Sequence, residues 1–255
     1  MKMKKEMIAD KLRVYCYETR QEMGQAAASA LHSKMLELLE SEEHINMLFA
    51  AAPSQNEMLS CLSSYNDIPW ERINALHMDE YVGLPADAPQ GFGNFLRRAI
   101  FDKKPFRTVS FLNGNADCID SECSRYAKLL EEYPLDIACI GIGENGHIAF
   151  NDPHVADFND PKVVKCVELD QRCRQQQVND GCFETLCQVP KKALTLTVPT
   201  IFKAKYIFCV VPAITKAEAV KNTVEGEIGE YCPATVLRSH DNAILYLDAD
   251  SASQL

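Results

Sequence analysis

The chain has 255 residues, 47% of them hydrophobic, enough for one large α/β domain with a sizeable core. A formal net charge of −10 excludes a nucleic-acid backbone as the main partner, whereas a small anion needs only a few local cations and N–H groups. Eleven scattered cysteines without a C-x-x-C fit neither a disulfide framework nor a common zinc pattern, and point to a reducing cytoplasm; no apolar run approaches membrane-spanning length, and M-K-M-K-K-E-M lacks the apolar stretch of a secretory signal.

In chain order, Leu12 to Tyr17 reads as a first strand. Thr19 to about Glu40 reads as an amphipathic helix, with Met23, Ala27, Ala30, Leu31, Met35 and Leu38 at helical spacing. Ile45 to Ala52 makes the next strand and runs into A-A-A-P-S-Q-N. There Ser54 is expected to cap a helix and leave the N–H groups of Gln55 and Asn56 facing an anion. Arg72 to His77 is a strand that delivers the adjacent carboxylates Asp79 and Glu80. A strand from Val109 to Leu112 and a helix from Cys118 to Tyr133 come later.

The central stretch is L-D-I-A-C-I-G-I-G-E-N-G-H-I-A-F-N-D-P, from Leu135 to Pro153. Its apolar run, Ile137 to Ile140, suits a strand buried on both faces. Gly141, Gly143 and Gly146 then form G-x-G-x-x-G. A dinucleotide loop would open a helix at the third glycine, but His147 and Pro153 follow instead, so the glycines are read as shaping a catalytic loop. Val163 to Leu169, Ala193 to Val198, Tyr206 to Val211 and Ala243 to Leu247 are further strands. The stretch between Asp170 and Cys187 is polar and glutamine-rich, and the C-terminal tail is expected to fray. A helix from Lys216 to Val224 opens with a cation, which opposes the helix dipole unless an anion sits above it. Alternating strands and helices predict a single Rossmann-like domain over 1–255, a doubly wound, mostly parallel sheet with helices on both faces. Ligands of such folds bind at the carboxyl ends of the strands.

G-I-G-E-N-G-H-I-A-F-N-D-P closely resembles the signature of the glucosamine-6-phosphate deaminases, also called isomerases. H-M-D-E-Y-V-G-L-P from His77, L-N-G-N-A from Leu112 and Q-V-P-K-K-A-L-T from Gln188 resemble the same family in the same order. The resemblance covers most of the chain. It implies an aldose–ketose isomerase and deaminase that converts a hexosamine 6-phosphate, glucosamine 6-phosphate first, to a ketose 6-phosphate and ammonia. No metal, nucleotide or covalent cofactor is called for.

The same resemblance assigns roles. Asp79 is the base that moves a proton between carbons, and Glu80 lies beside it at the sugar. His147 opens the ring, as an imidazole that gives or takes a proton near working pH. Its orienting neighbours are Asn145, where the family carries aspartate, and Asp152, where it carries the longer glutamate. Gly143 and Gly146 shape the loop around the substrate. Ser54 and Gln55 stand in place of a glycine- and threonine-rich phosphate loop, and Lys216 matches a phosphate-binding lysine. The segment at about 168–188 corresponds to a lid, in which Gln176 or Gln177 falls near the position of a phosphate-binding arginine and Arg174 is the candidate substitute.

Three other readings compete. A galactosamine-6-phosphate deaminase would fit the altered phosphate loop, and a 6-phosphogluconolactonase-like hydrolase would share the fold and the glycine turn. A non-catalytic sugar-phosphate sensor would need neither proton-transfer residue. Relatives include monomers and hexamers, so a homo-oligomer is compatible with the resemblance.

Overall fold

Apolar strands alternate with helices in the computed structural model, which describes residues 3–255. The chain opens with β1 (Met3–Ala9), β2 (Leu12–Tyr17), α1 (Arg20–Ser41), β3 (Ile45–Phe49) and α2 (Asn56–Ser64). It continues through β4 (Ile73–His77), β5 (Asp79–Tyr81), α3 (Phe92–Leu96), β6 (Thr108–Ser110), α4 (Ile119–Glu132) and β7 (Ile137–Ile140). The last part contains β8 (Val164–Glu168), α5 (Gln171–Asn179), β9 (Lys192–Leu196), α6 (Val198–Phe202), β10 (Tyr206–Val211), α7 (Ala217–Glu225) and β11 (Ala243–Leu247).

Eight strands form the main sheet in the order β1-β2-β11-β10-β7-β3-β4-β6. All its pairs are parallel except the β1–β2 hairpin. The charged start of the chain, where no strand was expected, is this outer strand. Its side chains are largely exposed, and an edge tolerates lysines that would be costly at the centre. Along β7 the side chains alternate between two layers: Ile137 and Cys139 join the core under α1 and α2, Ala138 and Ile140 the core under α4 and α7. That double burial explains the unbroken apolar run. All eleven cysteines are free thiols.

Two expected strands lie elsewhere than in the main sheet. The segments near 163–169 and 193–198 form β8 and β9, which pair with β5 in a small antiparallel sheet of order β5-β9-β8. Asp79 pairs with Thr195 in that sheet, two residues after β4 ends at His77, so the short segment from His77 to Asp79 links the two sheets. The C-terminal tail is also tied down rather than frayed. Ser251 is buried and its N–H donates to Asp248 at 2.8 Å, while the Asp248 carboxylate also accepts the N–H of Ala213.

Candidate active site

Chain order in the main sheet reverses between β3 and β7: β4 and β6 lie outward from β3, β10 and β11 outward from β7. Loops leaving the carboxyl ends of neighbouring strands diverge there and leave a crevice. The pocket in it is lined by Ala50 to Ser54 after β3, Met78 and Asp79 after β4, Gly141 to Gly143 after β7, and Pro212 to Lys216 after β10. Gln176, Gln177 and Asp180 cover it from the segment expected to be a lid.

Asp79 lies in the wall, 4% exposed, and its Oδ1 has no hydrogen-bond partner among the described residues. Burial, helped by the neighbouring Glu80, holds its carboxyl well above the usual range. Glu80 behaves differently. It accepts the backbone N–H groups of Tyr81, Phe92 and Gly93 and faces a separate surface depression with Phe111 and Asn113. The expected contact of Glu80 with substrate is therefore corrected: alternation along β5 turns the two carboxylates to opposite sides. Burial raises its carboxyl too, against those three donors.

His147 is 8% exposed and reaches the pocket across Gly143. A Cβ at Gly143 would lie 2.1 Å from the imidazole, so the turn admits only glycine under the ring. Behind the ring, Nδ1 sits 2.7 Å from Asn145 Oδ1 and 3.0 Å from Asp152 Oδ1, and Asn145 Nδ2 donates to Asp152 at 2.9 Å. An ionised carboxylate only accepts, so the amide nitrogen of Asn145 must face Asp152 and its oxygen must face His147. Nδ1 then carries a hydrogen, and in the neutral imidazole Nε2 keeps its lone pair. Asp152, though shorter than glutamate, reaches the ring. Burial works against its charge, but contacts with His147 and Asn145 outweigh it and hold the carboxyl below the usual range.

Gly146 takes a left-handed φ of +83°, and a Cβ there would meet Cys232 Sγ at 2.4 Å. It shapes the turn and packs against Cys232 without lining the pocket, a correction of its expected place at the substrate. His147, Asp152 and Cys173 also bring one metal-capable donor each within 4.8 Å of one another.

The pocket wall also carries a buried cation. Lys216 is 5% exposed with a partnerless Nζ, and burial lowers its ammonium below the usual lysine range despite the charges of Asp180 and Glu144. The turn before it strains the backbone, with Ala213 at φ +85°. Ser54 lines the pocket but caps no helix; Pro53 to Gln55 form a tight 3₁₀ turn instead. Gln55 is fully buried, and its amide nitrogen donates to Ser54 Oγ at 3.0 Å and faces the carbonyls of Ile140 and Val210 at 3.3 Å. It ties three strand ends together under the pocket floor, which corrects its expected contact with substrate.

Arg174 is corrected as well, for its guanidinium donates to the carbonyls of Leu186 and Val189 and holds the lid segment to itself. Gln176 accepts the N–H of Glu144 at 2.8 Å, docking α5 on the glycine turn. Sequence reasoning missed Arg20 and Asp180, both of which line the pocket. Arg20 opens α1, and the dipole test that singled out Lys216 would have marked it too.

Known proteins are similar to this chain in sequence and in fold. The family described as glucosamine-6-phosphate isomerases/6-phosphogluconolactonase matches residues 18–246. Glucosamine-6-phosphate deaminases of Bacillus cereus (strain B4264) and Bacillus thuringiensis (strain Al Hakam) are each 39% identical over 188 residues, 74% of this chain and 70% of theirs. A solved monomeric glucosamine-6-phosphate deaminase superposes with a TM-score of 0.86 at 29% identity, covering 95% of this chain and 99% of that one. A 6-phosphogluconolactonase from Thermotoga maritima shares the fold at a TM-score of 0.77 and 18% identity, over 93% of this chain and 100% of its own.

Proposed function

We propose, from the premise that the chain belongs to the family of glucosamine-6-phosphate isomerases and 6-phosphogluconolactonases, a hexosamine-6-phosphate deaminase whose chemistry runs from Asp79 to Lys216. The observation that carries this reading is Asp79, a buried carboxylate whose Oδ1 has no partner among the described residues, facing a pocket that also holds the buried ammonium of Lys216. Hydrolysing a lactone needs no proton shuttle between carbons. Isomerising an amino sugar does.

The reaction divides among these groups as follows. The lone pair on His147 Nε2 takes the proton of the anomeric hydroxyl, and the C1–O5 bond breaks as that proton passes to the ring oxygen. Asp79 then removes the proton from C2 and returns it to C1, while O1 gains a proton and the neutral amine gives one up, turning the aldose into a C2 imine. Water adds at C2 and ammonia leaves, so one water is consumed for each ketose phosphate formed. A carboxylate whose affinity for protons burial has increased suits this step, because it must both take and give the proton. Asp152 and Asn145 hold the imidazole in the tautomer that keeps Nε2 free. Lys216 and Ser54 bind the 6-phosphate, and the segment over 168–188 closes above it. The sugar phosphate is the small-molecule partner, and the free thiols agree with a cytoplasmic setting. Among the described residues, no helix is long and apolar enough to cross a membrane.

The test is ammonia release from glucosamine 6-phosphate and galactosamine 6-phosphate, with 6-phosphogluconolactone hydrolysis measured beside it. Release from either amino sugar, lost in Asp79→Asn and His147→Gln, is the expected result and names the sugar. Lactone hydrolysis without ammonia release would overturn the reading.

A further inference from the structure

The pocket has one deeply buried ammonium at its anionic-ligand end, and Asp180 lies on the same wall. A phosphate monoester carries up to two negative charges, so Lys216 alone, partly offset by Asp180, leaves it poorly compensated. The lid supplies no cation. Arg174 is held by Leu186 and Val189, and Arg172 pairs with Glu218 at 2.9 Å outside the pocket. Gln176 and Gln177, at the pocket wall, are neutral.

Arg20 is placed to answer this. It is the first residue of α1, where a cation opposes the helix dipole unless an anion is nearby. Its guanidinium is pinned from two sides: Nε lies 2.7 Å from Glu57 Oε1, and an Nη donates to the carbonyl of Pro53, on the turn that carries Ser54. The fork is thereby fixed at the rim of the pocket, with its remaining N–H groups uncommitted. Gly24, one turn along α1, makes the placement possible. A Cβ there would meet Glu57 Cβ at 2.4 Å, so α1 and α2 touch at the level that sets Glu57 against Arg20. The arrangement joins three separate stretches, the start of α1, the Pro53 turn and the start of α2.

We infer that Arg20 is the second cation of the phosphate subsite and takes over, from α1, the role that the lid leaves to neutral glutamines. This rests on the hexosamine-6-phosphate reading. It makes Arg20 a determinant of phosphorylated over unphosphorylated substrate, and it places that determinant on a fixed helix rather than on the lid.

Steady-state kinetics of the full chain on the amino-sugar phosphate that it deaminates, with inorganic phosphate as a competing ligand, tests it in Arg20→Ala and Arg20→Lys. Loss of a charge-assisted contact predicts a KM about 10- to 100-fold higher in Arg20→Ala, with kcat little changed and phosphate inhibition weakened by the same factor. Arg20→Lys recovers part of the loss. An Arg20→Ala enzyme that folds and keeps both its KM and its phosphate inhibition constant overturns the inference while leaving the deaminase reading intact. A wild-type protein that neither deaminates nor binds a sugar phosphate would overturn both. Should Arg20→Ala fail to fold, Arg20→Gln, which keeps the stem and a donor for Pro53, decides by the same two constants.

Discussion

The two ends of the pocket are built in different ways. The end proposed for proton transfer comes from two short contiguous stretches, Asp79 just beyond β4 and Asn145 to Asp152 just beyond β7, with neighbours in sequence serving as neighbours in space. The anion end is assembled from the start of α1, the Pro53 turn, the turn after β10 and the lid segment. Both keep buried polar atoms without partners, Asp79 Oδ1 at one end and Lys216 Nζ at the other. Burial pushes the carboxyl up and the ammonium down, so each end resists its own charge. A substrate with a cationic amine and an anionic phosphate supplies opposite charge to both.

Asp79→Asn breaks the proton end and should have the largest effect. Ammonia release is expected to fall by about 10²- to 10⁴-fold, the span of a lost general base. The same substitution should stabilise the fold at neutral pH. A carboxyl whose pKa is raised on folding contributes stability that is present at low pH and lost as pH rises through the folded value. Asparagine never ionises, so thermal unfolding from pH 5 to 8 should show the variant gaining on the wild type as pH rises. A parallel pair of melting curves would show that Asp79 is not a strained base.

This difference between the ends also governs what could be read from the sequence. The glycine turn, His147 and the Asp79–Glu80 pair were legible because each motif is local, and β7 announced itself as an unbroken apolar run. Which of two adjacent carboxylates faces the pocket was not legible, since it depends on β5 pairing with β9, more than a hundred residues away. Arg20 was passed over because helical spacing describes only the buried face of α1; the signal available for it was a cation at the helix start, against the dipole. Arg174 failed in the opposite way. Its charge suggested a phosphate ligand, but the carbonyls of Leu186 and Val189, at the end of the same segment, claim it.

Lys216→Ala probes the anion end. It should raise KM for the sugar phosphate by about 10- to 100-fold while leaving kcat close to wild type, a split opposite to that of Asp79→Asn. Because burial lowers the ammonium below the usual lysine range, the wild-type KM should climb at alkaline pH before an ordinary lysine would titrate. Lys216→Arg, which stays charged, should flatten that limb. If the KM profile remains flat to strongly alkaline pH in the wild type, Lys216 is not the cation in contact.

Asp152→Asn returns to the proton end with a smaller expected effect, because Asn145 Oδ1 still holds the imidazole tautomer. Activity should fall by about tenfold to a hundredfold. The stability sign is the reverse of that for Asp79. A carboxyl depressed on folding contributes stability above its unfolded pKa and loses it as pH falls through the folded value. The variant should therefore melt earlier than wild type at pH 7, and the gap should close below about pH 4, near the ordinary carboxylate range.

The smallest effect expected is at Ala213, whose φ of +85° with ψ of 147° lies in a region nearly reserved for glycine. Two contacts keep it there: its N–H donates to Asp248, and the turn it opens delivers Lys216 to the pocket. Ala213→Gly relieves the strain but frees the chain in the unfolded state, for a net gain of about 1 kcal/mol. If the strain serves to aim Lys216, the stabilised variant should pay for it with a modestly higher KM for the sugar phosphate and no change in kcat. Equal KM together with a higher melting temperature would mean that Asp248 alone fixes the turn, and that the anion end owes its geometry to the C-terminal tail rather than to alanine at this position.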